Sequence, residues 1–286
     1  MRLIYYWCLL ICLPTLAQAT TVSETIYINR DSMETVLGEK FPYTAFNLSP
    51  SFEQRNALIE LSVGDSLDLW VVNNDSISHQ FAIKGTAIVP QNISAGDSVR
   101  VQALFATMGL FIYYDNLNYP ENVYMGLAGG IYVKESNHAH FYWNIKEHQA
   151  SWNTALANQG VVNWATYTPD YFTINGNSNP AINLDPTARI TGQVGDTLLL
   201  SMVNTGQSIH SMHFHGYHVQ IRYSSKFPHH VGRSKDTVPI YPMETLLLEI
   251  VPDKEGEYPV HDHNLVAVTA NDIYPNGMFS TILITP

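Results

Sequence analysis

Two short runs in the second half of this 286-residue chain are rich in groups that bind metals: His210-Ser211-Met212-His213-Phe214-His215-Gly216 and His261-Asp262-His263. Each holds a His-x-His within sequence that reads as β-strand. Residues two apart on a strand point to the same face, so His213 and His215 project together, as do His261 and His263. If the two strands are neighbours, four imidazoles converge. Imidazole suits copper, zinc and nickel, and Cu(II) binds nitrogen sites more tightly than its divalent neighbours. Zinc is the main rival and would want a tetrahedral shell. The bland alternative is a polar seam in which the rings hydrogen-bond one another and water. Asp262 points the opposite way from His261 and His263, into the fold. A buried carboxylate is costly unless paired, and His210 is the obvious partner.

The elements that must carry these residues occur twice. Val63-Gly64-Asp65-Ser66-Leu67-Asp68-Leu69-Trp70-Val71-Val72-Asn73 matches Val194-Gly195-Asp196-Thr197-Leu198-Leu199-Leu200-Ser201-Met202-Val203-Asn204 without a gap, and the register continues through His79 onto His210. A second pairing sets Gly109 to Asn116 against Gly256 to His263, which places Asp115 opposite Asp262. Each copy reads as a Gly-Asp turn, a strand, an Asn-containing loop and a second strand. The expectation is an all-β protein of two similar sandwich or barrel domains, at residues 20–135 and 165–286. Residues 136–164 read as a linker with one short helix near Gln149 to Gly160.

Composition narrows the function. The chain has 14 Lys and Arg against 25 Asp and Glu, a formal net charge of −11. Nucleic acid is an unsuitable partner for such a surface, because phosphate contacts need a basic one. Residues 1–19 open with Arg2, continue into an apolar run and end in Ala17-Gln18-Ala19, the pattern of a cleaved signal peptide. The expected location is therefore periplasmic or secreted, with no membrane span. Both cysteines, Cys8 and Cys12, lie in this segment. The processed protein would have no thiolate for a metal and no disulfide.

Tyr171-Phe172-Thr173-Ile174-Asn175-Gly176, Gly195-Asp196, the His210 to Gly216 run, His261-Asp262-His263 and Gly277-Met278 together resemble the last domain of multicopper oxidases. The resemblance implies two cupredoxin domains, Greek-key β-barrels like those of nitrite reductases and two-domain laccases, with copper as the cofactor. It assigns His213, His215, His261 and His263 to type 2/type 3 copper ligands, His210 to a type 1 ligand and Met278 to its axial ligand. At the type 1 cysteine stands Asp262, and at a further type 1 histidine stands Ala267. Losing the thiolate removes the blue site. The first domain is emptier: Ala82, Lys84, Tyr114 and Asn116 stand opposite the four histidines. His79, Asp115, His210, Asp262 and Met278 are thus vestigial type 1 positions, either a structural His–Asp hydrogen bond in each domain or a colourless second metal site.

Two functions follow. One is a copper-binding module that buffers, delivers or senses copper ions. The other is a copper-dependent oxidoreductase with a type 2-like centre, fed by a small reductant, with Lys84 from a neighbouring domain holding an anionic substrate. Related two-domain proteins form trimers with copper at subunit interfaces, which makes a homo-oligomer one expectation, while the half-vacant interface here removes one reason to form it. His138, His140, His148, His229 and His230 read as linker or loop residues, His218 as a neighbour of the cluster or a plain strand residue, and Met125 as core.

Overall fold

The computed structural model describes residues 19–286. The segment read as a signal peptide, with Cys8 and Cys12, lies outside the described residues but for Ala19. Four sheets make two β-barrels. In the first barrel one sheet runs Lys40–Asn47, Thr21–Glu34, Ser66–Asn73, Ser98–Leu104, and the other Leu58–Ser62, Ala128–Lys134, Gly109–Tyr114, His79–Ile83, Gln91–Ile93. In the second barrel one sheet runs Tyr171–Ile174, Ala139–His148, Leu198–Asn204, Thr245–Ile250, Val219–Ser224, Ser234–Lys235. Its companion runs Thr191–Gln193, Phe279–Thr285, Gly256–Asp262, His210–Phe214, Thr237–Ile240.

The repeat in the sequence is a repeat in strand pairing. His213 faces His261 across an antiparallel pair, and Ala82 faces Tyr114 in the same way. Asn73 donates its side-chain amide to the carbonyls of Ile77 and Ile93, as Asn204 does to those of Ser208 and Ile240. The two copies differ in what covers them. Along Ser66–Asn73 burial alternates and Trp70 faces solvent, whereas every residue of Leu198–Asn204 is buried. One face of the latter fills its barrel with Leu198, Leu200 and Met202. The other packs Leu199 and Val203 on Leu110, Ile112 and Val123 of the first barrel. A strand covered on both faces reads as a continuous apolar run.

The second barrel begins earlier than the sequence suggests. Ala139–His148, inside the expected linker 136–164, pairs parallel with Leu198–Asn204, just as Thr21–Glu34 pairs with Ser66–Asn73. It is the first strand of the second barrel. Its polar end, Lys146-Glu147-His148, looks like solvated linker but is fully buried. With period two, Trp143 and Ile145 enter the barrel core, and Glu147 follows them inward to His210. Asn144 and Lys146 face the first barrel, where they donate to the carbonyls of Ala128 and Val123. The helix Ala150–Ala157 follows, with Trp152 packed among Tyr124, Trp164 and Tyr167. Among the described residues no helix is long and apolar enough to cross a membrane.

Candidate metal centre

The strands His210–Phe214 and Gly256–Asp262 are hydrogen-bonded neighbours, so the two His-x-His pairs meet at one end of the second barrel. Ring centroids lie 4.4 Å apart for His213–His215, 5.1 Å for His215–His261, 5.8 Å for His213–His261 and 5.6 Å for His213–His263. His215 and His263 sit just past their strands. Each is anchored through its backbone N–H, His215 to the Pro259 carbonyl at 3.0 Å and His263 to that of Ser211 at 2.8 Å. Gly216 follows at φ +80, and a Cβ there would lie 2.5 Å from the Tyr258 ring, so the turn closing this corner requires glycine.

Three rings have fixed orientations. His213 Nδ1 lies 2.8 Å from Thr237 Oγ1 on the next strand, and His261 Nδ1 donates to the Asp262 carbonyl at 2.8 Å. Both rings therefore keep Nε2 for the cluster, the arrangement by which an outer partner sets the ligating nitrogen. His215 Nε2 lies 3.0 Å from His261 Nε2. Two lone pairs cannot face each other there, so the pair shares one proton. Burial first, then the charges of His213, His261 and His263, push the His215 pKa down. A group that resists protonation among other imidazoles is a good cation ligand. Among the described residues no three His, Cys, Asp or Glu side chains are drawn together tightly enough to hold an ion as they stand. The four rings form an open collar, with His213, His215 and His261 half-buried and His263 exposed.

Beneath the collar Asp262 turns inward, fully buried, and its Oδ2 lies 2.5 Å from His210 Nδ1. The other ring nitrogen, Nε2, lies 3.0 Å from Glu147 Oε2. The first barrel repeats this: His79 Nδ1 is 2.7 Å from Asp115 and Nε2 is 2.9 Å from Asp75, which also binds Arg30. Burial alone would lower the His210 pKa, but the hydrogen bonds to Asp262 and Glu147 outweigh it and raise it to about 9. Burial would likewise raise that of Glu147, yet the bond to His210 holds it down at about 2. His79 is raised and Asp75 lowered for the same reasons. Each barrel thus buries an imidazolium between two carboxylates. Because these carboxylates approach opposite edges of one ring, they cannot converge on a single ion. The His210 Nδ1 that a second metal site on His210, Asp262 and Met278 would use is engaged by Asp262. Met278 packs in the apolar core.

The second carboxylate, which sequence reasoning missed in both barrels, reaches the same spot by different routes. Asp75 donates its N–H to Asn73 Oδ1, and Gly206 does the same to Asn204 Oδ1. Gly206 is thus the counterpart of Asp75, and a Cβ on it would lie 1.8 Å from Glu147 Oε2. Glu147 fills the space a side chain at position 206 would take.

His148, His140 and Lys84 depart from what their sequence context suggests. His148 is fully buried beside Phe41 and Tyr43, not a solvated loop residue. His140 lies 2.8 Å from Ser201 Oγ and 3.2 Å from Glu60, in the order of an acyl-transfer triad, but Ser201 is fully buried and the row serves as a clasp between barrels. Lys84 does not face the collar of its own chain; its Nζ donates to the Met243 carbonyl at the seam between barrels. His218 is exposed, and Met125 is core.

Residues 154–278 match the family model of multicopper oxidases. Most of the second barrel is thus similar in sequence to multicopper oxidases. About 93% of the chain superposes on solved copper proteins. A blue copper oxidase from Nitrosomonas europaea is 23% identical with a TM-score of 0.78, over 93% of this chain and 86% of that one. The copper nitrite reductase from the same organism is 17% identical with a TM-score of 0.72, over 93% and 94%. A laccase from Botrytis aclada is 13% identical with a TM-score of 0.71, over 93% and 53%. No curated protein sequence matches. At such identities the structural likeness establishes the fold, two cupredoxin-like Greek-key barrels. The matched residues include all four histidines of the collar.

Proposed function

We propose that this chain is an exported copper-binding protein that holds copper on His213, His215, His261 and His263 and has no type 1 centre. The observation that supports it most is the collar itself, four imidazoles on one corner of a barrel similar in sequence to multicopper oxidases. The donors fit the metal. Metal–nitrogen bonds of about 2.0–2.1 Å leave roughly 3 Å between adjacent ligating nitrogens, and His215 Nε2 and His261 Nε2 are 3.0 Å apart. Thr237 and the Asp262 carbonyl hold two rings with Nε2 outward, and rotation of the exposed His263 closes the shell. A cation binding here displaces the proton shared by His215 and His261. The absence of a type 1 centre is read from Asp262 and Ala267 at its ligand positions, together with the lack of any cysteine in residues 19–286. Export is read from residues 1–19.

A second reading is favoured by the family match: a copper-dependent oxidoreductase at a type 2-like centre, supplied by a small reductant. Copper bound at the collar would supply one-electron exchange; the chain's own contribution is to orient the rings. Metal analysis of the purified protein, with oxidase assays on phenols and Cu(I), separates the readings. Bound copper without turnover supports the binding protein, turnover supports the oxidoreductase, and failure to retain copper contradicts both.

A further inference from the structure

Although the chain is acidic overall, residues 222–235 carry Arg222, Lys226, Arg233 and Lys235 with His229 and His230 and no carboxylate. Of these four cations only Arg222 approaches a carboxylate, Glu249, at 3.7 Å among the described residues. Across the seam between barrels stands Lys84, likewise without a carboxylate in ion-pair range among the described residues. Its Nζ is held by the carbonyl of Met243, a residue at φ 57, a conformation side-chain-bearing residues seldom adopt. Lys226 is held over the Tyr241 ring with Nζ 4.5 Å from the centroid.

Lys84 and Lys226 line one cavity of about 280 Å³, whose walls include Leu110, Ile112, Tyr223 and Met243. Burial and the nearby Lys226 both lower the Lys84 pKa, and Glu244 offsets this in part. Glu244 is itself engaged by the Ser224 hydroxyl and the Tyr241 N–H. Two ammonium groups over an apolar wall make a site for a molecule with a negative head and an apolar body. None of the four collar histidines lines this cavity.

We propose that the seam cavity binds a small organic anion: one carboxylate on an apolar body about the size of a single ring. The carboxylate lies between Lys84 and Lys226, and the body lies against Leu110, Ile112 and Met243. The site is independent of copper and spans both barrels.

Calorimetric titration of the metal-free protein with benzoate tests this. Saturable binding that weakens as salt rises is expected. Lys84→Gln and Lys226→Gln should each weaken it about tenfold, the value of one charge-assisted hydrogen bond. Lys254→Gln, at a residue that lies over Tyr217 and Tyr258 and not in the cavity lining, should leave it unchanged, and benzyl alcohol should bind far more weakly than benzoate. No saturable binding, equal affinity for benzyl alcohol, or benzoate affinity unchanged in both seam variants would overturn the proposal. Melting curves on each variant establish that lost binding is not lost folding, and Lys226 is exposed enough to replace without disturbing the core.

Discussion

At His210 and His79 the same problem, a buried imidazole, is solved by a carboxylate on each ring nitrogen. Removing one partner of a buried ion pair costs about 3–5 kcal/mol. Asp262→Ala should therefore lower the melting temperature of metal-free protein sharply, while Asp262→Asn, whose amide oxygen still accepts from the ring, should be milder. Copper stoichiometry should stay the same in both; loss of a metal equivalent would mean Asp262 is a ligand. The interchange of Asp75 with Gly206 and Glu147 gives a sharper test. Gly206→Ala alone should destabilise, because its Cβ meets Glu147 Oε2 at 1.8 Å. Glu147→Ala alone should destabilise by stranding His210 Nε2. Glu147→Ala with Gly206→Asp, which moves the carboxylate to the position Asp75 holds in the first barrel, should recover much of that loss. Urea melts of the three variants decide this, and a double variant no better than Glu147→Ala would refute the equivalence. The His210–Asp262 and His79–Asp115 pairings were legible, because the internal repeat aligns them. Glu147 was not, since it lies on a strand outside the aligned repeat, and the position equivalent to Asp75 is a glycine, Gly206.

The strand Ala139–His148 shows why polar sequence is a poor guide to exposure. Its Lys146, Glu147 and His148 resemble a linker, yet each is buried because another element covers it: the first barrel over Lys146, the barrel interior around Glu147, and Phe41 and Tyr43 beside His148. Binary pattern does not report the burial of polar residues that a neighbouring element covers. A pH dependence follows. Burial, then the charge of Lys146, hold the His148 pKa down to about 3, against 6.5 for a free imidazole. Between these values the unfolded chain takes up a proton that the folded chain refuses. Stability from this group is therefore intact above about pH 6.5 and declines as pH falls toward 3. His148→Phe should flatten the fall in melting temperature between about pH 6.5 and 4 relative to wild type. An unchanged slope would mean that His148 is not held neutral.

For the molecule as a whole, the two-barrel architecture was legible in the Gly-Asp turns and alternating strands of the repeat, and the collar in its His-x-His spacing. The seam was not, because pairing registers within a barrel say nothing of which outer face meets a neighbour. The mostly apolar strand Leu198–Asn204, interrupted by Ser201, is the sequence trace of a sheet covered on both sides. The proposed function sets an optical expectation for the intact protein: copper-loaded, it should be pale, since residues 19–286 offer no thiolate to give an intense visible band. The most direct test titrates copper into metal-free wild type and the His213→Ala/His263→Ala double variant, following electron paramagnetic resonance and visible absorption. The account predicts a tight, nitrogen-ligated, weakly coloured Cu(II) signal in wild type that disappears in the double variant, with the fold intact by melting curve. An intense blue band, or equally tight copper in the double variant, would contradict it.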